Sequence, residues 1–406
     1  SILAGVNDGI SLGGTAVAAT VQNNTIEDGA VNGIRLTGGD VIASVTGNTA
    51  NQTTMNGLLV KGAAFTGTVA TNTFETGTGS GIRLDLTSEF HGAVEGNMVR
   101  NNGADGIALF VPVITDAAGT GNASVSGNDA SGSDVGIMVF SSNPLLDITN
   151  NVADGTMTGG LISASMTFPG TVSGNQFNSG SNLGIQLVTF SEFTGNILNN
   201  TASNNSGRFG IGLDVVSMDG VISNNIANLN TGNGIEIVVQ LNAESPPPGF
   251  SGTIANNTTD ENSLNGLFLS GSTSFFEGSL SNNNAMSNTL SGIKYVGGVF
   301  QSNVDSNTSS LNGLNGIEIV ADAFNGSLFL NTTEMNTAEG ISIILNDFIA
   351  ATSLVDVIGN QVSGNNINAI SMLPESQFRL ENTGLGFVTV EIDGNTSTDI
   401  VAAPEF

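Results

Sequence analysis

Cysteine and tryptophan are absent from this 406-residue chain, and tyrosine and histidine occur once each. Without cysteine there is no disulfide framework and no thiolate-ligated zinc, a composition compatible with export, where a free thiol is a liability. Cations are scarce: 7 Lys and Arg stand against 35 Asp and Glu, for a formal net charge of −28. Such a surface disfavours nucleic acid and anionic membranes, both of which need basic patches, while it attracts divalent cations such as Ca²⁺. No run of 18 apolar residues exists to make a membrane-spanning helix. Also missing are G-x-S-x-G, H-E-x-x-H, a glycine-rich phosphate loop between strand and helix, and RTX nonapeptides.

What the chain has is a repeat. Glycine followed by an apolar–x–apolar triplet, stated plainly in N-G-I-R-L at Asn32–Leu36, recurs at Gly9, Gly33, Gly57, Gly81, Gly106, Gly136, Gly160, Gly184, Gly210, Gly234, Gly266, Gly292, Gly316 and Gly340, and Ala369 takes the same place in A-I-S-M. The commonest step is 24 residues. Asparagine supplies a second anchor, usually 9 residues before the next glycine, from Asn24, Asn48 and Asn72 through to Asn360. A third anchor is aromatic: Phe65, Phe90, Phe168, Phe193, Phe275, Phe300, Phe324, Phe348 and Phe378, with Met218 as a stand-in, often followed two residues later by glycine.

A fixed period of this length is the signature of a solenoid. Three short alternating segments per repeat imply three β-strands per coil, and helical spacing is absent. The expectation is an all-β, single-stranded parallel β-helix of about fifteen coils, forming one solenoid domain over residues 1–406. Asn side chains stack into an amide ladder at one turn, Phe rings stack inside, and the repeat glycine allows a positive φ or a close chain approach.

These anchors resemble the right-handed parallel β-helix superfamily, the pectate-lyase-like solenoids with Asn ladders and internal aromatic stacks, over essentially Asn7–Ile400. The superfamily includes polysaccharide lyases and hydrolases, phage tailspikes, adhesins and filament proteins, so the resemblance implies fold more than role.

Departures from the period place insert loops near 110–122, 240–250, 345–356 and 374–390, all in the arm from Gly to Asn. Asn242–Gly249, N-A-E-S-P-P-P-G, is the stiffest, a polyproline-like projection. The chain starts at Ser1 inside repeat-like sequence and reads as a processed, secreted chain at the cell surface or beyond. No helical cap is written at either end, which predicts head-to-tail self-association. The N-x-S/T sequons are numerous but fall on or beside ladder turns, so the repeat accounts for them.

The outward columns lie two and four residues past each glycine. Leu59, Phe110, Met138, Phe140, Ile162 and Phe268 make them largely apolar, a surface that wants a cover. Arg35, Lys61 and Arg83, with Asp85 and His91 near them, form one cationic patch, whose functional reading is a lyase-like site with Arg or Lys as proton acceptor and acids holding Ca²⁺; Arg100, Glu89 and the Arg83–Asp85 pair lie in the same coils. Asp214 and Glu236 form the best carboxylate pair on adjacent coils, flanked by Asp219 and Glu244. Lys294 and Glu318 are a natural ion pair. The balance predicts a structural subunit of an extracellular filament or surface fibre, with no catalytic residue and no cofactor beyond Ca²⁺. The alternative is a carbohydrate-active enzyme, or a glycan-binding adhesin or tailspike rod, with a polysaccharide as partner.

Overall fold

The computed structural model describes residues 7–26, 28–116, 118–119, 121–240, 249–271, 275–346, 352–365, 378–382, 387–393 and 396–397. Every regular element among them is a β-strand. The chain divides into two compact units, Ser1–Asn205 and Ser206–Phe406, and each is a parallel β-solenoid.

In the first unit the glycine-started strands Ile34–Thr46, Leu58–Ala70, Ile82–Glu95, Ile107–Phe110, Val135–Ser141, Gly159–Ser165 and Leu183–Phe193 pair in parallel, each with the next coil. The register joins equivalent repeat positions: Ile34, Leu58, Ile82, Ile107, Ile137, Leu161 and Ile185 form one row. Alternation then decides the faces. Ile34, Leu36, Leu58, Val60, Ile82 and Leu84 point inward and are fully buried, each stabilising by about 1.5–3 kcal/mol relative to exposure. The second unit repeats the scheme with Phe209–Met218, Asn233–Val239, Leu267–Gly271, Ile293–Phe300, Ile317–Phe329 and Ile341–Leu345. Three segments per coil are present, but unequal. The first two often fuse, as in Ile34–Thr46, whereas the one after the ladder Asn shrinks to a pair or a single bridge, as at Thr25–Ile26 and Thr73.

The structure has about 13 turns, fewer than the glycine count predicts. Ala369 lies outside the described residues. The strand paired next to Ile341–Leu345 is Phe378–Asn382, with Phe378 opposite Ile341, so Phe378 holds a place on the glycine-started strand and not in the aromatic column. A second correction concerns Phe275. The ring stacked on Phe250 (4.4 Å) and Phe300 (4.8 Å) is Phe276. The reason is the F-x-G spacing: Phe276 precedes Gly278 by two, as Phe65 precedes Gly67. That glycine is required where coils touch, since a Cβ on Gly67 would stand 1.9 Å from the Ala43 carbonyl oxygen. Elsewhere the column runs Phe65–Phe90 and Phe168–Phe193 in the first unit and Phe300–Phe324 in the second. Phe348 and the proline-rich stretch 241–248 lie outside the described residues.

The Asn ladder is continuous through the first unit. Asn24, Asn48, Asn72, Asn97, Asn128 and Asn175 each donate from Nδ2 to the Oδ1 of the next Asn at 2.9 Å, and Asn151 does so at 3.0 Å. The same Oδ1 also accepts the backbone N–H of the preceding ladder residue, and Nδ2 makes a further bond to a strand carbonyl, as Asn72 does to Val45 at 2.9 Å. The second unit carries the equivalent Asn257–Asn283–Asn307–Asn331–Asn360 ladder. The left-handed conformation belongs to the residue before the ladder Asn, at Asn23, Gly47, Thr71, Gly96 and Leu330 for example. The repeat glycine is needed for close approach: a Cβ on Gly57 would sit 2.3 Å from Phe74 Cβ and 2.7 Å from the Gly81 carbonyl.

Two measurements check these roles. Asn97→Ala leaves neighbouring buried amide groups unpartnered and should cost about 2–4 kcal/mol in denaturant unfolding; Asn122→Ala, whose amide bonds Asp147 at an exposed site, should cost under about 0.5. Leu330 is half exposed at φ 52°, a conformation that burdens a side chain by about 1–2 kcal/mol. Leu330→Gly should therefore raise stability by about 0.5–1 kcal/mol after glycine's entropy cost.

Candidate functional site

The outward columns fall where the repeat places them. Arg35, Leu59, Arg83, Ala108, Met138, Ile162 and Gln186 share one register position on successive coils of the first unit. Thr37, Lys61, Asp85, Phe110, Phe140, Ala164 and Val188 share the other. Between the first column and the turn before the glycine runs an open groove of about 550 Å³. Leu59, Lys61, Arg83 and Asp85 form its floor; Met55, Asn56, Thr78, Ser80 and Ala104 form its wall. That volume suits a small ligand or one or two units of a polymer.

The ion pairs decide what the groove can hold. Arg83 lies 3.7 Å from Asp85, with both side chains over a third exposed, so the pair contributes about 0–1 kcal/mol. Its guanidinium also sits over the Phe110 ring, 4.6 Å from the centroid. Arg35 is 3.5 Å from Asp8, Arg100 pairs with Asp129, Arg208 with Glu236, and Lys294 with Glu318 at 2.9 Å. Lys61, exposed on the groove floor, is the one cation among the described side chains without an acidic partner within ion-pair distance.

The remaining predicted residues are dispersed. His91 belongs to the later part of Ile82–Glu95, beyond a register irregularity, and bonds Glu89 at 3.0 Å and the Thr115 hydroxyl. It does not line the groove with Arg83 and Asp85. Asp214 and Glu236 are not a working pair. Gly212 stands beside Glu236, and Val238 beside Asp214. Asp214 accepts from Gln240 Nε2 at 2.6 Å, whereas Glu236 is 3% exposed and held by Arg208 and Asn233 Nδ2. Asp219 accepts from Ser251 at 3.1 Å, and Glu244 lies outside the described residues. No group of three or more His, Asp or Glu side chains converges as a cation site among the described residues.

Two features escaped the sequence reading. From Asp8 to Asp105 the residue before the repeat glycine forms an outer polar ladder, whose Asn56 and Ser80 line the groove wall. Asn32 Nδ2 donates to Asp8 at 2.8 Å, Asn56 Nδ2 to Asn32 at 2.9 Å, Ser80 N to Asn56 at 3.1 Å, and Ser80 Oγ to Asp105 Oδ2 at 3.3 Å. The repeated N-G, N-G, S-G, D-G dipeptides were its signal. The second feature is Asp105 itself, 8% exposed at the end of that row. Burial pushes its carboxyl above the usual 3.8; the Ser80 hydrogen bond and Arg83 act against the shift, and Asp134 adds to it.

Comparison with known proteins completes the assignment. Residues 1–153 match the family described as right handed beta helix region, and the fold is accordingly a right-handed parallel β-helix. Two solved structures of the periplasmic alginate epimerase AlgG are similar. The single mutant matches at 14% identity and TM-score 0.42, and a double mutant at 12% and 0.37. Each match covers 88% of this chain and 77% of that chain. No curated protein matches the sequence.

A raised carboxyl pKa means that the folded chain holds a proton the unfolded chain has already released. Asp105 therefore costs nothing below about pH 4 and subtracts stability as pH climbs through its folded value. Asp105→Asn should raise the melting temperature at pH 7 and flatten its decline between about pH 4 and pH 7. An unchanged pH profile, measured by calorimetry, would show that Asp105 ionises without penalty.

Proposed function

We propose that this protein is a carbohydrate-binding β-helix that takes an acidic polysaccharide along the groove of its first unit. The observation that carries the reading is Lys61: a cation without an acidic partner, on the floor of an open groove, in a chain whose other described cations are all paired. Its ammonium is placed for a sugar carboxylate, and Arg83, loosely held by Asp85, offers a second donor. Residues 1–100 hold 4 of the 7 Lys and Arg but only 8 of the 35 Asp and Glu, so repulsion of a polyanion is weakest there. Polar groups along the wall, Asn56, Thr78 and Ser80, are suited to sugar hydroxyls. The setting is extracellular, where such polymers occur and where a cysteine-free chain is at home.

Turnover is the second reading, favoured by buried Asp105 behind Ser80 and Arg83, a carboxyl held neutral to higher pH than usual. The filament reading has less to stand on. Its proposed contacts, Ser1–Val6 and most of Asn395–Phe406, lie outside the described residues, and in its apolar columns Ala108 is buried.

Isothermal titration with polyuronides, with and without Ca²⁺, is the test. The natural chain should bind a polyuronide and ignore a neutral glucan. Lys61→Met should weaken binding about tenfold or more, one charge-assisted contact being worth about 1.5–3 kcal/mol, while Lys61→Arg retains most of it. Equal binding by Lys61→Met sinks the proposal. Growth of an unsaturated product's ultraviolet absorbance during the titration would establish turnover.

A further inference from the structure

Past Asp85 the second outward column changes character. Phe110 and Phe140 stand on consecutive coils with their rings stacked, centroids 5.5 Å apart and planes 11° from parallel. The Arg83 guanidinium closes the Phe110 side of the stack. On the other side the next residue in the register is Ala164, followed by Val188. A methyl group cannot continue a ring column. Coils are about 4.8 Å apart, so Phe140 and Val188 stand roughly 10 Å apart with only Ala164 between them, a gap that one six-membered ring fills with contact on both faces. Around this notch Phe140 is 42% exposed, Met166 49% and Phe190 60%. No charged residue occupies either outward column from Met138 to Val188.

Among the described residues most phenylalanines are core. A ring on the outer face, backed by a second ring and a cation and open on its far side, is arranged as a stacking platform.

We propose that the notch over Ala164, walled by Phe140, is a second subsite that stacks a pyranose ring of the same polysaccharide held at Lys61. This inference rests on the proposed groove reading. Phe140 shares its column with Lys61, three coils along, so a polymer lying parallel to the solenoid axis from the cationic floor reaches the platform, where its terminal ring turns across the axis to enter the notch. A sugar ring has a C–H-rich face and no net charge there, which matches a notch without charged walls. The carboxylates of successive residues can still face the solvent side. The ligand class is therefore a linear acidic polysaccharide of at least several sugars, gripped by charge at one end and by ring stacking at the other.

The experiment is a length series. Oligouronides from dimer to octamer are titrated into the natural chain, Phe140→Ala and Phe140→Leu. In the natural chain, affinity should rise about tenfold once the oligomer is long enough to reach from Lys61 to the notch. Phe140→Ala should abolish that rise while dimer affinity stays unchanged, which also shows that the variant is folded; Phe140→Leu, apolar but not aromatic, should keep only part of it. A length dependence identical in all three proteins overturns the platform and leaves the Lys61 groove standing. Failure of every oligomer to bind the natural chain removes both.

Discussion

Coil-to-coil amide bonding is the constraint on which the rest of the molecule depends. In a solenoid of 24-residue turns the strands satisfy their own backbone groups along the axis, but a buried tight turn between strands leaves donors and acceptors without partners. The ladder Asn resolves this. Asn72 Oδ1 takes both the backbone N–H and the side-chain amide of Asn48, and Asn72 Nδ2 gives one bond to Asn97 and one to the Val45 carbonyl. Every polar valence of the amide is used. The ladder also fixes register, because a slip of one residue would turn every inward Ile and Leu to solvent. The outward columns inherit that fixity, so Lys61, Arg83 and Phe140 are placed relative to one another by residues on the far side of the coil.

The same device explains where the chain tolerates irregularity. Asn97 bonds Asn128 across 31 residues and Asn225 bonds Asn257 across 32, with the same 2.9–3.0 Å geometry as the 24-residue steps. Extra residues leave between the glycine and the next Asn, where the turn is not buried. Loop-closure entropy grows slowly with length, so such insertions change the surface without disturbing the core. Positive φ recurs at the position before each ladder Asn, as at Thr71, and again five residues later, where even Leu229, Leu311 and Met335 accept a left-handed conformation. A side chain that cannot relax there is held by hydrogen bonds on both sides.

What could be read from the sequence follows this logic. Most features that depend only on the period are legible: the first Asn ladder, the inward rows, the outward columns, and the Arg83–Asp85 and Lys294–Glu318 pairs. Features set by the turns were not. Glu236 counts by alternation as an outward acid beside Asp214, but Arg208, just before the neighbouring strand Phe209–Met218, and Asn233, at the start of its own strand, hold it buried. Asp105 is buried because Ser80 stands beside it in the turn, a contact that no strand alternation predicts. A second amide ladder, Asn262–Asn288–Asn312–Asn336–Asn365, runs five residues after the first in the second unit. Its signal was present in Asn307 with Asn312 and Asn331 with Asn336. In the first unit Asn102 and Asn205 keep the place, but Thr53, Gly77, Ser133, Thr156 and Gly180 take others, and the pattern is interrupted there.

The scarcity of cations then acquires a physical sense. With a net charge of −28, long-range forces repel any polyanion, so attraction has to arise within the groove over distances shorter than the Debye length of about 8 Å at physiological salt. A cation already engaged by a carboxylate offers little there. Lys61 stands beside Asp85 in register, but Asp85 is engaged by Arg83, and Arg83 is in turn held over Phe110. The aromatic stack thus does two things at once: it keeps the guanidinium beside Asp85, and by doing so it leaves the lysine free. Salt screens the distant repulsion more than the local contact. On the proposed reading, an acidic polymer should therefore be held better at physiological ionic strength than in dilute buffer, the reverse of what a basic binding surface gives.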